Sequence, residues 1–579
     1  MRSPSALVAL AVILAALAAL PVVAVIAHGL APGQAGVWTH LAATVLPGFV
    51  ANTLLLVALV GSGVAFGGTV TAWVITHRRF PGDRYFEWAL LLPLAMPAYV
   101  MAYAYTDWLQ YAGPVQTALR ETFGWSHGDY WFPDIRSLPG AAAMFIAVLY
   151  PYVYLLARTA FIERPHSLTE AARTLGLDAR RTFWRVDLPL ARPAIAGGIA
   201  LALMETLADY GTVAYFAVDT FTTGIYRAWF SLGDRVAAAQ LSAALLAFVI
   251  GAILLERWSR GAARVAASAR SRSPAPSARQ RLTGVRAWTA TVICVLPIVF
   301  GFVLPLVLLA RQALSEPELP AAARFADLAW NSLRVSGLAA VLAVVFAALV
   351  AYAVRLSPGA LTRGTSRVLA LGYAVPGSVL AVGVLLPVGA VDRWLAATLQ
   401  NTLGVHTGLL LTGTVAALIY AYLVRYFAVA WNGIEPGFAR ITPSMDSAAR
   451  GLGASPVGTL ARVHVPLLGR SAAAATLLVF VDVMKELPAT LVMRPFNFDT
   501  LATQAYTLAK DERLAEAALP SLAIVAVGVL PLLLLARTVR RGASASGARP
   551  RGERVARPRE TGSDPNGAYS RENGIGNRV

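Results

Sequence analysis

Four acidic residues with regular spacing carry the most specific chemistry that the sequence suggests. Glu205 and Asp209 are four residues apart, as are Asp482 and Glu486, and one constant offset relates the first pair to the second. A spacing of four places both members of a pair on one face of a helix. Carboxylate oxygens are hard ligands that suit a hard cation or attract a cationic substrate. The pattern predicts a translocation path for a cation, with the four acids as a transient metal site at most.

The same acids have a structural interpretation. Lys485 adjoins Glu486, and Arg494 lies nearby, so internal ion pairs could fix the helices against their neighbours. An ionised side chain inside a bilayer costs at least about 2.5–3.5 kcal/mol and usually faces a cavity or a partner. Both interpretations remain open from the sequence.

Other site chemistry is excluded or absent. Cys294 is the only cysteine, so the chain has no internal disulfide and no cysteine-built metal site. No G-x4-G-K-[ST] motif is present, and the seven histidines form no metal-ligand pattern. We expect no catalytic residue and no cofactor in this chain.

The composition excludes a soluble protein. Of the 579 residues, 57% are apolar and 14% are charged, whereas soluble domains have roughly 45–50% apolar and about 25% charged residues. Too few polar residues remain to cover a water-facing surface. The sequence therefore predicts an all-α polytopic membrane protein.

Twelve apolar segments are long enough to cross the hydrocarbon core, which takes about 20 helical residues. They are 6–28, 50–76, 86–107, 139–161, 193–215, 236–256, 287–311, 331–354, 368–390, 406–429, 468–492 and 516–537. The first could be a signal peptide, but its apolar run exceeds the usual signal core of about 7–15 residues, which favours a retained span. Tyr99, Tyr103 and Tyr105 end the third segment and are predicted to be interfacial anchors.

Arginines indicate the orientation. The formal net charge is +18, and many of the arginines lie in segments 162–192, 257–286 and 542–579. Loops rich in Lys and Arg stay in the cytoplasm, so both termini are predicted to be cytoplasmic. The basic charge is thus a topology signal, and we expect the lipid bilayer rather than nucleic acid as a partner.

Two polar segments divide the chain. Residues 1–256 form a first six-span half and residues 287–541 a second. Residues 257–286, rich in Arg, Ser, Ala and Pro, are predicted to be a basic cytoplasmic linker between the halves. Residues 542–579 are rich in Gly, Ser, Arg and Asn and are predicted to be a disordered cytoplasmic tail.

The two halves are an internal duplication. Asn52 opens the second span and Asn331 opens the eighth. Residues 170–189 (EAARTLGLDARRTFWRVDLP) align without gaps with residues 447–466 (SAARGLGASPVGTLARVHVP), and nine of the 20 positions are identical. Six spans restore the same orientation, so the repeat is a parallel one.

The repeated segment resembles the cytoplasmic loop of binding-protein-dependent ABC importer permeases, with the pattern E-A-A-x3-G-x11-L-P. A version occurs in each half, so the resemblance implies two fused permease domains, with coupling loops at about 162–192 and 430–467. In that family the loop docks on the ATPase subunit and transmits its motion. The matching positions are Glu170, Ala171, Ala172, Gly176, Pro189, Ser447, Ala448, Ala449, Gly453 and Pro466.

The residues of the motif fit docking. Gly176 and Gly453 allow a sharp bend or a positive φ after a short helix, and Pro189 and Pro466 are predicted to mark the restart of the chain near the next span. An interfacial amphipathic helix is the alternative, but the repeated spacing favours docking. The second copy has Ser447 in place of the acid, with an aspartate one position earlier, which predicts two ATPase contacts that are not equivalent.

The resemblance also implies partners and a location. It implies two copies of an ATPase subunit, which uses ATP and Mg, and a periplasmic substrate-binding protein. It places the chain in the bacterial inner membrane. The predicted periplasmic loops 108–138, 215–235 and 494–515 are the expected docking surface for the binding protein.

The substrate class comes from the later part of each half. Residues 209–229 (DYGTVAYFAVDTFTTGIYRAW) and 485–506 (KELPATLVMRPFNFDTLATQAY) resemble the iron(III) permeases of periplasmic ferric importers, which implies iron(III) as the substrate. Thiamine, phosphonate and polyamine permeases share the architecture and remain alternatives. A secondary transporter is a further alternative, but it would have no use for two matched cytoplasmic motifs.

Overall fold

The computed structural model describes residues 3–31, 40, 43–126, 128–163, 172, 174–261, 279–315 and 322–547. This part of the chain is almost entirely helical, which confirms the all-α prediction. In the first half the helices are α1 (Ser3–Gly29), α2 (Leu46–His77), α3 (Asp83–Ala89), α4 (Ala98–Leu109), α5 (Pro114–Phe123), α6 (Leu138–Glu163), α7 (Ala179–Thr182), α8 (Leu188–Ala208), α9 (Gly211–Tyr215), α10 (Phe221–Tyr226) and α11 (Arg235–Gly261).

The second half repeats the pattern. Its helices are α12 (Val285–Ile298), α13 (Leu304–Ser315), α14 (Ala322–Leu356), α15 (Ala360–Ala370), α16 (Gly377–Leu403), α17 (Val415–Ala439), α18 (Pro443–Gly451), α19 (Pro456–Thr459), α20 (Val465–Met484), α21 (Pro488–Met493), α22 (Leu501–Lys510) and α23 (Leu514–Gly547). Two short strands, β1 (Arg78–Arg79) and β2 (Gln280–Arg281), pair in parallel.

Several predicted segments fall outside the described residues. These are Glu170 and Ala171 of the first coupling loop, residues 262–278 of the linker and residues 548–579 of the tail. The chain divides at Leu533 into two units, and the described part of the second, residues 534–547, is helical. The predicted disordered tail therefore begins within a helix that runs to Gly547.

The third predicted span is broken. Among the described residues, eleven helices are long and apolar enough to cross a membrane, and a bent pair, Asp83–Ala95 with Ala98–Phe123, makes up to twelve. The two arms of that pair meet at 89°. The predicted third span is therefore not one continuous helix, because Pro97 has no amide N–H and disfavours the α conformation of the residue before it. The chain restarts as α4 directly after this proline.

The fifth and eleventh spans begin and end earlier than the predicted 193–215 and 468–492. Pro189 and Pro466 do not restart the chain after a loop but lie near the start of α8 and α20, each directly after a π turn. A π turn inserts an extra residue, which lets a helix continue into a residue without an amide N–H. The helix that carries each of these prolines therefore begins within the predicted coupling loop.

Each half contributes its first span to the other half. Helix α1 packs against α14, α15 and α16, and Tyr420 Oη donates to Leu17 O at 2.6 Å. Reciprocally, α12 packs against α2 and α3, and α13 against α4, while Tyr105 Oη donates to Phe300 O at 2.6 Å. The two halves are thus interlocked rather than merely adjacent.

Small residues allow the spans to pack closely. Helix α14 buries one stripe at the spacing of three and four residues that is expected of a helix face. The stripe consists of Ser336, Ala339, Ala340, Ala343, Ala347 and Val350. Between membrane helices, such small side chains bring the backbones close enough for extensive van der Waals contact.

The duplication is visible in the hydrogen bonds. Asn52 Nδ2 donates to Asp219 O at 2.8 Å, and Asn331 Nδ2 donates to Asp499 O at 3.2 Å. In both halves the residue after this aspartate is a threonine, which forms a capping box at the start of α10 or α22. The repeat therefore fixes the loops that follow the fifth and eleventh spans.

Candidate functional site

One cavity brings the four predicted acids together. Glu205, Asp209, Asp482 and Glu486 all line a cavity of about 100 Å³ whose walls come from both halves. Other lining residues are Met96, Pro97, Ala98, Tyr99, Tyr152, Arg425, Tyr426, Lys485 and Pro488. The constant offset between the two pairs in the sequence thus corresponds to a shared place in space. We name this space the inner cavity.

Two of the acids are held by the breaks that follow α8 and α20. Asp209 Oδ1 accepts from Thr212 N at 2.8 Å, at the start of α9. Glu486 Oε1 accepts from Ala489 N at 2.8 Å and its Oε2 from Thr490 N at 3.0 Å, at the start of α21. Each carboxylate satisfies amides that the first turn of a helix leaves without partners.

The other two acids have side-chain partners. Tyr373 Oη donates to Glu205 Oε1 at 2.6 Å. Lys485 Nζ lies 3.0 Å from Asp482 Oδ1. Lys485 therefore pairs with Asp482 rather than with the adjacent Glu486, and Arg494 pairs with Asp499.

The inner cavity also contains an arginine that was not predicted from the sequence. Arg425, on α17, is 7% exposed, and its Nη1 lies 3.7 Å from Glu486 Oε1. Its Nε and Nη1 make no hydrogen bond to any residue that the structure describes. The available signal was its type, because it is the only Asp, Glu, Lys or Arg in the apolar segment 406–429. An arginine inside a span is expensive and usually faces a cavity or a partner.

The inner cavity is symmetric in its acids but not in its cations. Both cations of its described lining, Arg425 and Lys485, come from the second half, and the equivalent positions of the first half are Val148 and Ala208, which also line the cavity. The second-half acids are therefore each close to a cation. Glu205 and Asp209 are held by hydroxyl and amide groups instead.

The inner cavity does not have the geometry of a resident metal centre. In the part of the chain that the structure describes, no three His, Cys, Asp or Glu side chains form a group that could hold a metal ion. The four acids line the same space as separate groups, each with its own partner.

The predicted interfacial tyrosines are buried. Tyr99, Tyr103 and Tyr105 are 4%, 1% and 6% exposed, so the anchor prediction is wrong. Tyr99 lines the inner cavity, and its Oη donates to Lys485 O at 3.3 Å. The break before α4 turns these side chains into the protein rather than towards the membrane surface.

A second, larger cavity of about 680 Å³ is lined largely by residues that follow those of the inner cavity in the sequence. It is lined by Tyr210, Ala214, Ala217, Val218, Asp219, Thr223, Tyr226, Arg227, Phe230, Ser231, Leu491, Tyr506, Thr507, Lys510 and Asp511. The Tyr210 ring stacks on that of Tyr226 at 3.7 Å and lies 5.7 Å from that of Tyr506. The predicted loops 215–235 and 494–515 both contribute to this cavity.

The repeated segments 170–189 and 447–466, which we name the coupling motifs, have the same backbone geometry at their glycines. Gly176 and Gly453 have φ values of +77° and +82°. Leu177 N donates to Ala172 O, and Ala454 N donates to Ala449 O, both at 3.0 Å. This bond, combined with a left-handed glycine, is the Schellman cap of a helix. In the second half the capped helix is α18.

The motif residues divide into buried and exposed sets. Ala172 and Ala449 are 4% and 9% exposed, so both are buried within the protein. Gly176, Ser447, Ala448, Gly453 and Pro466 are exposed, and Pro189 is half-buried. The leucines before the two glycines were not predicted from the sequence to take part. Leu175 and Leu452 occupy equivalent positions and are 81% and 89% exposed.

Asp446 fastens α18 to two spans. Arg355 Nε donates to Asp446 Oδ2 at 2.7 Å, and His464 Nε2 lies 2.7 Å from its Oδ1. Burial alone would raise the pKa of this carboxyl, but the hydrogen bonds from His464 and Arg355 outweigh burial and lower the pKa. The aspartate one position before Ser447 therefore points inward. In the first half, Asp187, the counterpart of His464, lies 3.4 Å from His77.

Comparison with known proteins agrees with this architecture. Residues 63–261 match the family model described as binding-protein-dependent transport system inner membrane component. The chain is 26% identical over 487 residues to the Fe(3+)-transport system permease protein FbpB 2 of Haemophilus influenzae, which covers 84% of this chain and 88% of that protein.

Two further relatives differ in how much they cover. The ferric transport system permease protein FbpB of Actinobacillus pleuropneumoniae is 24% identical over 80% of this chain and 66% of its own length. The probable sulfate transport system permease protein cysT of Chlorokybus atmophyticus is 33% identical, but over 26% of this chain and 50% of its own length. The predicted resemblance to binding-protein-dependent permeases with two fused domains is confirmed. Such proteins are multi-pass inner-membrane components of transport systems rather than enzymes.

Proposed function

We propose that the chain is the permease subunit of an ATP-driven importer that moves iron(III), delivered by a periplasmic binding protein, into the bacterial cytoplasm. One observation carries the proposal. The similarity to two ferric permeases extends over 84% and 80% of the chain, and thus over both halves. The sulfate relative covers 155 residues and therefore no more than one half.

The alternatives from the sequence are not favoured. Thiamine, phosphonate and polyamine import would require the same architecture, but the relatives that span both halves are named for ferric transport. A secondary transporter would leave the repeated cytoplasmic motifs and their exposed leucines without a partner.

ATP hydrolysis belongs to a separate subunit in this proposal. The sequence has no G-x4-G-K-[ST] motif, so ATP and Mg are used by the partner. We infer two ATPase copies, one on each coupling motif, because Leu175 and Leu452 present the same exposed side chain at the same position. The coupling motifs and both termini then lie on the cytoplasmic side.

The inner cavity is the proposed translocation path. Glu205, Asp209, Asp482 and Glu486 line it, and four carboxylates against two cations in its described lining leave a net negative charge that favours entry of a cationic cargo. The cavity of about 680 Å³ beside Tyr210 is the proposed entrance, where cargo leaves the binding protein.

The test is ATP-dependent uptake of radiolabelled iron(III) into proteoliposomes that contain this chain with its ATPase and periplasmic binding protein. We expect saturable iron uptake that excess thiamine or polyamine competes poorly. ATP hydrolysis that responds to the binding protein without iron uptake would retain the importer and reject iron(III).

A further inference from the structure

A cation in the inner cavity has unused hydrogen-bonding capacity. Arg425 is 7% exposed, and its Nε and Nη1 have no hydrogen-bond partner among the described residues. A buried donor without a partner costs about 1–3 kcal/mol, and more if it is charged. The 3.7 Å separation between Nη1 and Glu486 Oε1 exceeds hydrogen-bonding distance, so the ion pair does not satisfy these donors.

The acids of the inner cavity are already engaged. Asp209 and Glu486 cap α9 and α21, while Glu205 and Asp482 have Tyr373 and Lys485 as partners. The groups without partners are therefore the N–H donors of Arg425, and these donors need an acceptor of hydrogen bonds.

The start of a long helix lies beside Arg425. Helix α16, 27 residues long, begins at Gly377. A Cβ on this glycine would clash with Arg425 Nη1 and lie 2.8 Å from Glu486 Oε1. The N-terminus of a helix carries a partial positive charge and free amides, and it favours anions. The absence of a side chain here leaves this end of the helix close to the guanidinium.

We propose that Arg425, which lies beside the N-terminus of α16, forms an anion subsite on the wall of the inner cavity and takes a small oxyanion that accompanies the metal. The planar guanidinium fork matches two oxygens of a carboxylate, carbonate or phosphate group. A cavity of about 100 Å³ has room for one such group with its metal. This inference rests on the proposed iron(III) import and specifies the form of its cargo.

The experiment is double-label uptake by the complete transporter in proteoliposomes. The binding protein is loaded with iron-55 and either carbon-14 oxalate or phosphorus-32 phosphate. We expect the labelled oxyanion to enter with iron in a fixed ratio. Arg425→Gln should lower uptake of both labels by about tenfold or more, the effect of losing a charge-assisted hydrogen bond. Arg425→Lys should be intermediate, because it keeps the charge without the fork.

Arg158→Gln is the matched control. Arg158 is a largely buried arginine on α6, the counterpart of α17 in the first half, and it pairs with Glu87 outside the inner cavity. In the fraction of Arg158→Gln transporter that folds, the ratio of labelled anion to iron taken up should be the same as in the wild type. If Arg425→Gln does not assemble, the ratio in the wild type and the result for Arg425→Lys decide the question.

Other outcomes separate the subsite from the proposed function. Iron entry without either labelled oxyanion, at an undiminished rate in Arg425→Gln, would overturn the subsite and leave iron import intact. Phosphate binding to the purified complex that requires Arg425, without iron uptake from any loaded binding protein, would retain the subsite and reject iron import. Accumulation of labelled phosphate without iron would identify free phosphate as the ligand. It would reject the proposal that the oxyanion accompanies the metal.

Discussion

At the scale of single residues, the inner cavity separates two kinds of acid. Asp482 and Glu486 lie beside Lys485 and Arg425, so their charges are largely offset. Glu205 accepts from Tyr373 but also interacts electrostatically with Lys485 and Arg425, whereas Asp209 accepts hydrogen bonds from neutral groups. Asp209 should therefore contribute most of the negative potential that a cationic cargo meets.

Asp209→Asn should lower iron uptake by about tenfold, which corresponds to about 1.4 kcal/mol on the transport barrier. An asparagine oxygen can still accept from Thr212 N, so the cap of α9 and the amount of assembled protein should be preserved. Radiolabelled uptake per mole of purified transporter gives the rate, and thermal unfolding in detergent gives the stability.

Asp482→Asn is the comparison for this variant. It leaves Lys485 without its ion pair in a half-buried place, so its main effect should be a lower unfolding temperature. Unchanged uptake in an Asp209→Asn, Glu486→Gln double variant would refute the role of the acids in the path.

At the scale of elements, the coupling motifs depend on a left-handed glycine. Gly453→Val should leave the protein inserted but separate ATP hydrolysis from transport, because a β-branched residue at φ +82° is strained and would distort the motif. The measurement is the number of ATP molecules hydrolysed per iron transported, for this variant and for Gly176→Val.

Gly451→Ala serves as the control for these variants. Gly451 is the last residue of α18, is exposed and has no positive φ, and a Cβ added to it would meet no described atom within 4 Å. Its coupling ratio should match the wild type. Normal coupled uptake in both valine variants would argue against the docking role.

The ion pairs of Asp446 hold α18 against two spans of the second half. Asp446→Asn removes the charge that Arg355 and His464 share, so α18 should transmit movement less faithfully. We expect the coupling ratio to worsen by about two- to tenfold, in line with the roughly 0.5–1.5 kcal/mol of a typical hydrogen bond. Because the pKa of Asp446 is lowered, this stabilisation is complete above the unfolded value of about 3.9 and is lost as the pH falls through the folded pKa.

Glu435→Gln is a suitable control, because Glu435 is an exposed acid near the end of α17. An Asp446→Asn transporter that couples as well as the Glu435→Gln variant would show that the contact is dispensable.

The elements also show how far sequence reasoning extends. The constant offset between the halves was sufficient to place four acids in one cavity and two glycines in one conformation, because a repeat preserves register. It could not pair Glu486 with Arg425, since those residues lie on different spans and periodicity within one span says nothing about its neighbours. The break at Pro97 was readable from local chemistry alone, whereas the exchanged first spans were not.

At the scale of the whole molecule, orientation can be tested through the single cysteine. Cys294 is buried, and Cys294→Ser provides a background without thiols. Ala112→Cys, in the predicted periplasmic loop 108–138, should react with a membrane-impermeant maleimide in intact cells. Ala360→Cys, between the eighth and ninth spans, should react only in inverted vesicles. Both alanines are exposed, and the reverse pattern would overturn the positive-inside assignment.

The exchange of first spans has a consequence for synthesis. Helix α1 is made before the helices of the second half, but it packs on α14, α15 and α16 as well as on α11, and α14 begins only at Ala322. At about 5–20 residues per second, the interval is on the order of 15–60 s. During that time α1 can pack on α11 but not on its neighbours in the second half, whereas α12 finds its partners in the first half already made. The packing of the first span is thus completed only after α16 has been made.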